Sequence, residues 1–104
     1  MIKDKMIENI SVEKIKIGDK EFKEKVDDMH KRMELEINLF GVKRPFIVTK
    51  VGEDYMIYNS LNTFTAAKNA GLKTVPCKII SNKMMNNRIK ELNFYRRNHK
   101  LKEI

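Results

Sequence analysis

The densest chemistry in the chain is cationic and lies toward its C-terminal end. Arg88, Lys90, Arg96, Arg97, His99, Lys100 and Lys102 are interleaved with Phe94 and Tyr95, and only Glu91 and Glu103 oppose them. Guanidinium groups fork onto phosphate oxygens and ammonium groups meet them as point charges, so this composition suits a helix lying along a phosphate backbone. A second cationic set, Lys43, Arg44, Lys50, Lys68, Lys73 and Lys78, is spread through the middle of the chain among the short hydrogen-bonders Asn59, Asn62, Thr63 and Asn69. Each cation can neutralise one phosphate, which gives affinity that falls with salt and carries little base information; Asn and Thr can reach base edges or phosphates. Asn59 and Ser60 equally suit ordinary helix capping, and Phe94 and Tyr95 equally suit a core or dimer contact.

Other chemistries are poorly supplied. His30 and Glu34 stand four apart near Asp27, a spacing that more often marks surface partners than metal ligands. Cys77 is the only cysteine, which excludes an internal disulfide and any multi-cysteine metal site; inside the run after Pro76 it reads as a small buried hydrophobe. After residue 40 the carboxylates are Glu53, Asp54, Glu91 and Glu103, too few to assemble a magnesium site for a nuclease. The chain shows no phosphate-binding glycine loop, HExxH or nucleophile elbow. Neither an enzyme nor a cofactor is expected.

The charge is unevenly placed. Residues 1–40 hold nine basic and ten acidic side chains, residues 41–80 six and two, and residues 81–104 seven and two, so the formal net charge of +8 comes from the last sixty-odd residues. Hydrophobic residues make up 41% of the 104 and Trp is absent, enough for one modest core and therefore for a single domain over 1–104. No apolar run approaches the ~20 residues of a membrane span. A reducing cytoplasm fits the lone cysteine, and no membrane partner is expected.

The elements that must position these residues follow from periodicity. Ile7, Ile10 and Val12 mark a short strand, and Asp19 can cap a helix over 20–40 in which Phe22, Val26, Met29, Met33, Ile37 and Phe40 share a face. Gly41 ends that helix and Pro45 starts an extended segment. Runs 46–51 and 55–59 read as a hairpin, 61–70 as a short helix closed by Gly71, and 74–80 as a strand that Pro76 keeps from full pairing on its N–H side. Ser81 or Asn82 can cap a last helix to about Lys100, with Met85, Ile89 and Leu92 on one side. The expectation is an α+β fold with a small mixed sheet and hairpin packed against three helices.

The string from Leu39 to Ile80 resembles the N-terminal domain of the ParB and sulfiredoxin-like superfamily. Gly41, Pro45, Ile47, Val48, Tyr55, Ala66, Ala67, Ala70, Gly71, Leu72, Val75 and Pro76 stand where that pattern has them, and Ile10, Val12 and Ile15 suit its opening strand and turn. The resemblance covers residues 10–80 and implies a ParB-like module over 7–80 followed by the basic helix of 81–104. It also implies a Gly-Glu-Arg-Arg turn for a triphosphate, but the aligned residues are Ser60, Leu61, Asn62 and Thr63. Without the bidentate arginines, triphosphate binding in the family manner is expected to be badly weakened. The catalytic cysteine that sulfiredoxins carry at this turn is also missing. Within these 104 residues no helix-turn-helix follows the module, so DNA would meet the module itself or the last helix.

The stretch from Thr65 to Pro76 resembles a helix-turn-helix as well, with 46–59 as the hairpin of a winged-helix protein; Pro76 and the β-prone residues after it count against this alternative. The resulting expectation is a non-enzymatic, degenerate ParB-like protein that binds duplex DNA as a homodimer. A plasmid or other mobile element is the implied setting, in partition, in an accessory role at a transfer origin, or in repression. The residues expected on DNA are Lys43, Arg44, Lys50, Asn62, Thr63, Lys68, Asn69, Lys73, Arg88, Arg96, Arg97 and Lys100. A nucleotide-binding switch or hydrolase of the CTP-dependent kind and a protein–protein adaptor are the alternatives.

Overall fold

A computed structural model describes residues 7–103, with side chains through residue 92. Strand β1 (Ile7–Ser11) passes through a 3-10 turn at Val12–Lys14 into β2 (Ile15–Ile17); then follow α1 (Asp28–Phe40), β3 (Phe46–Val51), β4 (Asp54–Ile57), α2 (Leu61–Asn69), β5 (Thr74–Ile80) and α3 (Asn82–Glu103). The five strands form one mixed sheet in the order β1-β5-β3-β4-β2. β1 is antiparallel to β5 and β3 to β4, while β5–β3 and β4–β2 run parallel. The expected α+β class, hairpin and short second helix are all present.

Strand alternation divides the helices between two layers. Phe46 and Val48 of β3 enter the main core, where Phe46 meets Phe64 of α2 edge to face with ring centroids 5.7 Å apart. Thr49, the residue after Val48, points the other way and bonds Asn82 of α3. α1 and α2 therefore cover one face of the sheet and α3 crosses the opposite one. Val48, Ile57, Ala67, Val75 and Cys77 are fully enclosed in the middle.

Pro76 explains how β5 lies inside the sheet. The Val12 N–H donates to the Lys73 carbonyl at 2.9 Å, which by antiparallel alternation makes Ile10–Val75 a hydrogen-bonded pair and leaves Pro76 opposite Asn9 at a pair without ladder bonds. The ladder to β3 starts only at Cys77, so the missing N–H falls where no partner waits. At the hairpin, Gly52 with φ 66° supplies the positive φ of a two-residue turn.

Three expectations are corrected. The long first helix begins at Asp28, not after Asp19: Asp27 is the residue whose carboxylate accepts the His30 N–H at 3.0 Å, while Asp19 folds into a local turn by accepting the Glu21 N–H at 2.9 Å. Of its six face residues only Ile37 is buried and Phe22 and Met33 are partly so; Val26, Met29 and Phe40 are exposed. Burial does not repay ordering the segment 20–26 as helix. The second correction is β2, a three-residue parallel strand on β4 that its length hid from periodicity. Third, the winged helix-turn-helix alternative falls, because 74–80 is a paired strand where a recognition helix would have to stand.

Candidate functional site

α1 ends where the Gly41 N–H donates to the Ile37 carbonyl at 2.7 Å, and Gly41 at φ 77° turns the chain out of the helix. Val42, Lys43 and Arg44 then cross the end of the sheet before Pro45 aligns β3. Opposite them stands the amino end of α2. The two segments enclose a cleft of about 310 Å³ with Ile37 and Phe46 in its lining, Lys43 and Arg44 on one side, Ser60 and Thr63 on the other, and Glu36 at its edge.

Ser60 is the only non-glycine residue at positive φ among the described residues, with φ 55° and ψ 33°. The resemblance sets a glycine at this position, and serine holds the left-handed backbone here at a steric cost that glycine would not bear. Its hydroxyl does not cap α2, which corrects the capping role expected of it. The first intrahelical bond runs from the Phe64 N–H to the Ser60 carbonyl at 2.9 Å, so the N–H groups of Leu61, Asn62 and Thr63 have no acceptor within the helix. Three donors at the positive end of the helix dipole, with two cations beside them, attract an anion.

The remaining residues expected on a ligand are placed as follows. Asn62 is exposed on the first turn of α2, and Lys68 and Asn69 are exposed on its last, roughly 9 Å further along at 1.5 Å per residue. Lys68 and Asn69 line a depression of about 600 Å³ together with Lys16 and Glu24, and the Asn69 amide donates to Glu24. Lys73 is exposed in the turn before β5, and Lys50 near the hairpin turn. Arg88 lies on the opposite face of the sheet, sharing a groove of about 290 Å³ with Lys78, Ile47 and Glu91. The structure thus brings Lys43, Arg44 and Thr63 to one cleft, with Asn62 beside it and Lys68 along the same helix. It separates Lys50, Lys73 and Arg88 from them. The side chains of Arg96, Arg97 and Lys100, expected on the last helix, lie outside the described residues. Lys16, near Lys68, had no signal in the sequence beyond its charge.

Among the described residues, ion pairing does not consume the cations. Among the described residues the only ion pair joins His30 to Asp27, and hydrogen bonds from the His30 ring and backbone hold Asp27 below the usual carboxylate range. Cys77 is fully buried, its thiol directed to the Val75 carbonyl at 3.6 Å, and desolvation pushes its pKa up to about 11. It is an inert core residue in this fold. Among the described residues no cluster of three His, Cys, Asp or Glu stands ready for a metal ion, and no helix is long and apolar enough to cross a membrane.

No family model matches the chain, and no curated protein matches it by sequence. Solved structures do match. Sulfiredoxin from Arabidopsis thaliana superposes with a TM-score of 0.66 at 22% identity, over 81% of this chain and 97% of that one. The C-terminally truncated chromosome-partitioning protein ParB from Caulobacter crescentus, complexed with CTP-γ-S, gives 0.63 at 23% identity over 72% of this chain. The same ParB complexed to the centromeric parS site gives 0.61 at 22% identity over 71% of this chain. The chain spans 44% and 40% of the lengths of those two ParB chains. These likenesses establish the ParB/sulfiredoxin-like fold.

Proposed function

We propose that this chain is a non-enzymatic DNA-binding protein of a plasmid or other mobile element. It acts as a homodimer on duplex DNA in partition, at a transfer origin or in repression. The observation that carries the reading is the convergence of Lys43 and Arg44 on the uncapped amino end of α2, with neither cation ion-paired among the described residues. A phosphate held there would have Asn62 of the first turn beside it, while Lys68, about 9 Å further along α2 and roughly 120° around it, would reach a different part of the backbone. Backbone contacts of this kind position a protein on DNA without reading sequence. Arg96, Arg97 and Lys100 are proposed to extend the contact from α3. The DNA partner is supported by the fold shared with a chromosome-partitioning ParB that was solved on its parS site, and the mobile-element setting rests on the sequence resemblance alone.

A second reading puts a nucleoside triphosphate in the same cleft. It is favoured by the left-handed backbone of Ser60 at the turn and by the fold shared with a ParB that was solved with CTP-γ-S. The loss of both turn arginines to Asn62 and Thr63 weighs against it.

Mobility-shift titrations at two salt concentrations, run beside thermal-shift screening with nucleoside triphosphates and Mg²⁺, separate the readings. Retention of duplex DNA that weakens steeply with salt supports the first. Stabilisation by a triphosphate without DNA retention replaces it with the second.

A further inference from the structure

α1 presents an apolar surface that its own fold does not cover. Met29, Leu35, Leu39 and Phe40 are 72%, 57%, 66% and 73% exposed. At 100° per residue they fall with Arg32 and Glu36 into one arc of about 140°, on the side of the helix away from the buried Ile37. Four large apolar side chains on one side of a thirteen-residue helix form a patch of the kind that marks an interaction surface.

The two charges on this arc identify its occupant. Arg32 precedes Glu36 by one turn, the weaker order for pairing within a helix, and they form no ion pair in this structure. Two copies of α1 packed antiparallel about a two-fold axis beside the middle of the helix set Arg32 of each copy opposite Glu36 of the other. The same operation sets Met29 opposite Leu39 and brings Leu35 next to its symmetry mate. One register thus satisfies both charges twice and matches Met29 with Leu39, leaving Phe40 at the rim level with Asp28 of the other copy, and antiparallel alignment also opposes the helix dipoles favourably.

We infer that the outer face of α1 is a self-complementary interface through which two copies of this chain associate. It gives the homodimer of the proposed function a surface, although the interface stands whether or not the protein binds DNA. One helix face buries less than the ~800 Å² per partner of a standard interface, so dissociation in the micromolar range or weaker is expected.

Sedimentation equilibrium of the full chain over a concentration series, without nucleic acid, tests this. The weight-average mass should rise toward twice the chain mass, and Leu39→Lys should hold it at one. Arg32→Glu and Glu36→Arg should each weaken association at least tenfold by placing like charges together, and the double exchange should recover it. All three positions are exposed, and circular dichroism verifies that the variants stay folded. A single-chain mass at every concentration would overturn the interface, as would a dimer indifferent to Leu39→Lys or a double exchange no better than the single ones.

Discussion

The Thr49 hydroxyl on β3 donates a 2.6 Å hydrogen bond to Oδ1 of Asn82, the first residue of α3. Thr49 is the one buried polar residue among those described, and its partner lies 33 positions on in the chain. With Ser81 Oγ accepting the Met84 N–H at 3.1 Å and Met85 buried, this bond fixes where the basic last helix leaves the sheet.

Thr49→Val keeps the shape and removes that tether. Because Asn82 is exposed and can turn to water, the loss should be about 1 kcal/mol and not the larger penalty of an orphaned buried group. Hydrogen exchange should show faster protection loss in the first turns of α3 than in β5. Equal changes in both would mean that the bond does not set the docking of α3.

Lys43→Ala with Arg44→Ala should weaken DNA binding on all sequences alike and flatten the plot of log affinity against log salt by roughly 2 units, about one per lost phosphate contact. Fluorescence anisotropy over a salt series reads both. An unchanged slope in the double variant would place the phosphates elsewhere.

Ser60→Gly should stabilise the fold by up to about 1 kcal/mol, since glycine enters the left-handed region without the steric cost and loses part of that gain to unfolded-state entropy. Ser60→Val should destabilise it by more than 1 kcal/mol, because a β-branched side chain fits this backbone worst. Thermal melts of the pair give the comparison; a Val variant as stable as Gly would contradict the left-handed turn.

Burial raises the Cys77 thiol from its ordinary value near 9.0 to about 11, so the folded protein holds this proton more tightly than the unfolded chain. The associated stability is fully present below pH 9 and is lost as pH rises toward 11. Denaturant melts should show this decline, and Cys77→Ala should flatten it at the expense of lower stability throughout. At pH 8 the native thiol should react with a disulfide reagent at least about a hundredfold more slowly than after unfolding, as opening must precede attack.

Much of the scaffold was legible from local pattern. The 46–51 strand, the 61–69 helix and the Val-Pro strand announced themselves through β-branched runs, helical spacing and Gly71, each of which acts over a few neighbouring residues. The start of α1 was not legible, because periodicity in 20–26 is a helical signal only if a core receives it. Phe22 alone is partly received by the core, and Val26 at 79% exposure shows that no helical face is buried there. β2 exists because β4 offers it an edge, and nothing in three residues foretells such an edge.

For the site, the amino acids determined the supply of cations and the lone cysteine, properties of composition, while Asn62 and Thr63 stand where the family resemblance implies arginines. Tertiary structure alone decided which cations meet. Lys43 and Arg44 reach the amino end of α2 because the sheet brings the end of α1 beside that turn, whereas Arg88 is sent to the far face because Thr49 and Phe46 alternate along one strand. Contacts between residues distant in sequence depend on packing that closes only once, in three dimensions, and that is why charge could be counted along the chain but not assigned to a surface.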